Sequence, residues 1–136
     1  MAVEDYRADA MSCTSCAYCN GIPLDHVKSR RFAKGCPSIE RNSIHSYSAG
    51  GRLVTMLSLM DGRSEVTEEV KKSVFECQLC GSCDVACKLF RYNMEPLKAM
   101  HELRFKLVEE GQGWPAHKPV IRSEEHTSEL QSRITI

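Results

Sequence analysis

In "CQLCGSCDVACK", residues 77–88, Cys77, Cys80 and Cys83 stand three apart and Cys87 follows four later. "CTSCAYC" repeats the step with Cys13, Cys16 and Cys19, and its fourth cysteine, Cys36, comes directly before Pro37. Steps of three along a loop aim successive side chains at one central point, which is how a chain wraps a metal centre. Thiolates suit zinc and iron–sulfur clusters. Zinc ribbons present their cysteines in pairs and have no place for a third cysteine three residues on. Two triplets, each with one further cysteine, are what [4Fe–4S] cubes need, with one thiolate for each iron. A disulfide framework is the other use of eight cysteines, and it belongs to secreted chains. "MAVEDYRADAM" is acidic and polar, with no apolar run behind a basic start, so a reducing cytoplasm is expected.

A tight triplet reaches three corners of one cube, while the next cysteine points away along the following helix. In two-cluster ferredoxins that fourth cysteine ligates the other cluster. By this logic Cys13, Cys16, Cys19 and Cys87 hold cluster 1, and Cys77, Cys80, Cys83 and Cys36 hold cluster 2. All eight cysteines are used.

The elements that must position these sulfurs read as helices. Pro37 suits the first turn of a helix through "SIERNSIHSY". "GGRLVTMLSLMDG" carries Leu53, Met56, Leu57 and Met60 as an apolar stripe bounded by glycines. "TEEVKKSVFE" offers Thr67 as N-cap, Glu68 and Glu69 in the first turn, and Val70 and Val74 on one face. "EPLKAMHELRFKLVEEGQG" starts at Pro96, turns Leu97, Met100, Leu103 and Leu107 inward, and stops at Gly111 and Gly113. No alternating strand stands out. The expected fold is mainly α, with two cluster-binding loops and no substantial sheet.

The triplets, the Cys-Pro pair, and "YSAGGRLVTMLSLMDG" leading into "CQLCGSC" resemble the α-helical dicluster ferredoxin module. That module occurs in heterodisulfide reductase-type subunits and in the iron–sulfur subunit of glycolate oxidase, with a related form in succinate dehydrogenase. The resemblance covers about residues 10–112, and Gly51-Arg52-Leu53 stands where the glycolate oxidase group has a Gly-Arg-Ile-like helix start. It implies two [4Fe–4S] clusters relaying single electrons within a larger oxidoreductase. The redox partner would be a separate protein or a fused catalytic domain, either a flavoprotein or a cysteine-rich domain. Two features depart from the pattern: sixteen residues separate Cys19 from Cys36 where ferredoxins have three, and Lys88 replaces the usual proline. The alternative reading is a structural or interaction module that binds zinc, or whose clusters never cycle.

The rest of the chain sets limits. Lysine plus arginine equals aspartate plus glutamate, 18 each, which gives no support to nucleic-acid binding. No apolar run approaches the roughly 20 residues of a membrane span, so association with a membrane complex would run through a partner. Residues 122–132, "RSEEHTSELQS", match the translation of a common sequencing adapter codon for codon. Residues 122–136 are therefore expected to be a non-native tail, after a domain over 1–112 and a linker over 113–121 toward a further C-terminal region. No general acid, base or nucleophile stands out, and no catalytic residue is assigned. "KSRRFAK", residues 28–34, reads as a solvated basic face, or as charge that offsets the clusters or steers an acidic partner. His26, His45, His101 and His117 lie in no ligand spacing, and "SAGGR" is no dinucleotide fingerprint. Tyr18, Phe75 and Phe90 adjoin ligands and are expected to shield the clusters from water.

Overall fold

The structure, a computed structural model, describes residues 2–21, 27–91 and 93–120. Among them are six α-helices: α1 (Arg7–Ser12), α2 (Pro37–Asn42), α3 (Ala49–Met60), α4 (Glu68–Phe75), α5 (Ser82–Arg91) and α6 (Pro96–Glu109). Short 3₁₀ turns join several of them, and the described residues contain no strand, only an isolated bridge between Gly21 and Lys34. The mainly α fold is as expected.

The core forms where the apolar stripes of α3 and α6 meet, with α1 and α4 packed at the sides. Leu53 and Met56 from α3 lie against Met100, Leu103 and Leu107 from α6, all fully buried. Ala99 takes the inner position expected for Leu97, which is only half-buried. The N-terminal segment joins this core through Val3, Tyr6 and Ala10, which are spaced three and four apart and all buried. That helical stripe was legible in "VEDYRADA", but the polar composition of the segment obscured it.

Local chemistry sets most helix ends. Thr67 accepts from the Val70 N–H at 3.3 Å and caps α4, as expected. Ser48 does the same for α3, accepting from Gly51 N–H at 3.1 Å. Gly111, at φ +74°, takes the left-handed position after α6. The helix expected through "SIERNSIHSY" stops short, at Asn42. Ser43 sits at φ 54°, its N–H bonded to the Ile39 carbonyl, and a separate 3₁₀ turn follows over His45–Tyr47. The break frees Ser48 to take the extended backbone that an N-cap needs.

The α3 entry is unusually tight. A Cβ on Gly51 would stand 2.1 Å from the His45 carbonyl oxygen and 2.6 Å from the Ser46 Cα. Only glycine lets the first turn of α3 cross that backbone. The segment expected as a linker begins on the domain: Trp114 stacks on Phe75 with ring centroids 6.3 Å apart, and His117 meets the same ring edge-on at 5.8 Å. The expected tail over 122–136, His26 and the tip of the inserted loop lie outside the described residues.

Candidate metal centres

Each cysteine triplet begins in a loop held in left-handed turns. Cys13 follows α1, Ser15 and Ala17 have φ 54° and 66°, and Cys19 lies in the 3₁₀ turn Tyr18–Asn20. In the second set Leu79 and Gly81 have φ 53° and 77°. Such turns pull the chain around a point instead of along an axis. The second loop is shorter than the spacing suggested. Helix α5 starts at Ser82, so Cys83 and Cys87 are one helical turn apart on the same element, and the loop carries only Cys77 and Cys80. Helix α5 packs against the turn that bears Cys19.

The ends of the inserted loop meet at its base. The Asn20 carbonyl accepts from the N–H of Gly35 at 3.1 Å and of Cys36 at 3.3 Å, beside the Gly21–Lys34 bridge. Cys36 is thereby returned beside Asn20, the residue after Cys19, as if most of the insertion were absent. It then takes the N-cap position of α2, with Pro37 in the first turn. Lys88 replaces proline because α5 runs on to Arg91, and proline there would break it. Lys88 pairs instead with Asp84 at 2.6 Å and with Glu95 at 3.6 Å.

Two groupings of sulfurs result. Cys36, Cys77, Cys80 and Cys83 line one cavity, although Cys36 is distant from the others in sequence. Its apolar wall is Leu79, Leu97 and Met100. Around Cys87 the company is different. Burial pushes its thiol up to about 11, and the nearby charges that add to this are Cys19, Cys13, Cys16 and then Asp84. Burial likewise raises Cys19, where the backbone N–H groups of Gly50 and Ala49 partly offset it, and Cys13 and Cys16 add to the rise. The Cys13 sulfur lies 3.4 Å from where a Gly50 Cβ would sit. Cys83 is pushed up to about 12, first by burial and then by Cys77, Cys19 and Cys87. Helix α5 therefore stands between the two groups, and the N-terminus of α3 borders both.

All eight cysteines are free thiols. Among the described residues no three Cys, His, Asp or Glu side chains converge as a shell for one ion. A tetrahedral zinc, with Zn–S bonds of about 2.3 Å, needs such convergence. A cube takes its thiolates at four separate irons, and the sulfurs need not meet. The donor set suits that group: four thiols line the second cavity, and apolar side chains wall it.

Arginines brace the second site. Arg104 of α6 donates to the carbonyls of Val74 (3.1 Å), Phe75 (2.9 Å) and Cys77, and lies 5.4 Å over the Phe75 ring. It holds the end of α4, and so the start of the "CQLCGSC" loop, in place. Burial lowers its pKa, while the nearby Cys77 opposes that. Neither arginine was assigned to the site from sequence, although Arg52 stood in the Gly-Arg-Leu resemblance. The aromatic shield is not as expected: Tyr18 is 47% exposed, Phe75 packs on Trp114, and the Phe90 side chain lies outside the described residues. His45 borders the first site: its ring nitrogen is 3.2 Å from the Ser48 hydroxyl, and its ring, like the Cys13 sulfur, lies 3.4 Å from where a Gly50 Cβ would sit.

Paired cysteine sets on a small helical scaffold define an iron–sulfur, ferredoxin-like module. The comparison with protein families agrees, because the model for the 4Fe-4S dicluster domain matches residues 9–90, more than half of the chain. The chain belongs to that family, and iron–sulfur electron transfer is its general function. No curated protein and no solved structure matches it. Among the described residues no helix is long and apolar enough to cross a membrane.

Proposed function

We propose that this chain is an electron-transfer module with two [4Fe–4S] clusters, serving a larger oxidoreductase of heterodisulfide reductase type. Cluster 1 would be held by Cys13, Cys16, Cys19 and Cys87, and cluster 2 by Cys77, Cys80, Cys83 and Cys36. One observation carries this reading above the others: Cys36 shares a cavity with the second triplet, while the thiols acting on Cys87 are those of the first. The exchange is what crossed ligation requires.

When bound, [4Fe–4S] supplies a one-electron couple, and the chain sets its conditions. Gly50 and Ala49 aim their N–H groups at the Cys19 sulfur, stabilising a thiolate there. Leu79, Leu97 and Met100 keep water from the second site. Arg104 fixes the backbone from which Cys77 projects. The partner would be a flavoprotein or a cysteine-rich catalytic domain, fused or separate. Anaerobic reconstitution with iron and sulfide, then metal analysis and EPR of the reduced protein, tests the proposal. About eight irons and two interacting S = ½ signals are expected. Bound zinc without an EPR signal would leave the structural-module alternative standing instead.

A further inference from the structure

Arg52 is the one charged side chain among the described residues lining the cavity of Cys36, Cys77, Cys80 and Cys83. It is 1% exposed. Its Nε donates to the Ser73 carbonyl at 2.6 Å and its Nη2 to the Ser38 hydroxyl at 2.6 Å. Both acceptors are neutral, and no carboxylate among the described residues pairs with it. The second guanidinium in the neighbourhood, Arg104, adds like charge. A buried cation without a counter-charge is costly, and folds keep one only where an anion meets it. The only anions that the cavity can form are its four thiolates and whatever they bind.

We propose that Arg52 is the counter-charge of cluster 2 and holds that cluster's reduction potential above that of an otherwise identical uncharged site. The idea rests on the ligand sets proposed above. A one-electron reduction, with the electron taken from a dye mediator or dithionite, adds one negative charge beside the guanidinium and moves no bond. A fixed cation stabilises the more negative reduced form, so removing it makes reduction harder. Arg52 does not reach toward the first triplet; its anchors are Ser38, next to Cys36-Pro37, and Ser73 at the end of α4. The effect should therefore fall on one cluster.

An EPR-monitored redox titration of the anaerobic holoprotein reads this directly. In Arg52→Gln one midpoint should move to more negative potential while the other stays, and the shifted signal should be the one lost in Cys80→Ser. Arg52→Lys, which keeps the charge but not the fork, should stay near the wild-type midpoint. If Arg52→Gln does not assemble, Arg52→His places a titratable cation at the same position, so the same midpoint should fall more steeply with rising pH than in the wild type, and an unchanged pH dependence would overturn the role. Unchanged midpoints, equal shifts at both clusters, or the same shift in the Lys and Gln variants would overturn the role. Fewer than about eight irons in the wild type would defeat the ligand sets themselves, so the two failures are distinguishable.

Discussion

At the scale of single residues, the eight thiols are chemically unequal although the sequence repeats them evenly. Cys16 and Cys80 are exposed, whereas Cys19 is buried and burial chiefly pushes the Cys83 thiol up to about 12. A raised thiol pKa leaves less thiolate at neutral pH, and the thiolate is the nucleophile. Alkylation of metal-free protein at pH 8, read by peptide mass mapping, should label Cys16 and Cys80 first and Cys19, Cys83 and Cys87 last. The lag at Cys83 should persist as the pH is raised to 9. Equal rates at all eight in metal-free protein whose helical circular dichroism is intact would contradict the arrangement. The spacing alone singled out every cysteine as a candidate ligand, because metal chemistry fixes such spacing locally. The arginines stayed hidden because their roles depend on carbonyls twenty to thirty residues away: Arg52 reaches Ser73, and Arg104 reaches Val74, Phe75 and Cys77.

Among the elements, the helices that pack on their own apolar stripes were the readable ones. Thr67, Pro96 and Gly111 each act where the sequence puts them. The misread helix after Pro37 shows the reason for failure: Ser48 competes for the chain as the cap of α3, and nothing in "SIERNSIHSY" itself announces that. Gly51 is the sharper case. Its neighbours are the backbone of His45 and Ser46, a contact that no local pattern encodes. Gly51→Ala should therefore cost about 3 kcal/mol, the upper end of ordinary overpacking, because backbone cannot move aside as a side chain can. Gly50→Ala, whose Cβ would meet its nearest neighbours at 3.4 Å, should cost clearly less. Thermal unfolding of the two holoproteins side by side checks the order, and equal losses would refute the close-approach explanation.

Over the whole molecule, the two cysteine sets lie far apart in sequence and the fold interleaves them. Helix α5 carries Cys83 toward one group and Cys87 toward the other, and the closed insertion returns Cys36 to the second cavity. Each cluster would then tie the first set to the second, so that binding energy becomes folding energy for a small core. The most direct test is EPR of reduced Cys87→Ser and Cys80→Ser compared under identical reconstitution. Crossed ligation predicts that Cys87→Ser perturbs the cluster of the "CTSCAYC" loop and that Cys80→Ser removes the other, so the two variants keep different signals. If both lose the same signal and retain the same other one, ligation is sequential and the shared arrangement is wrong.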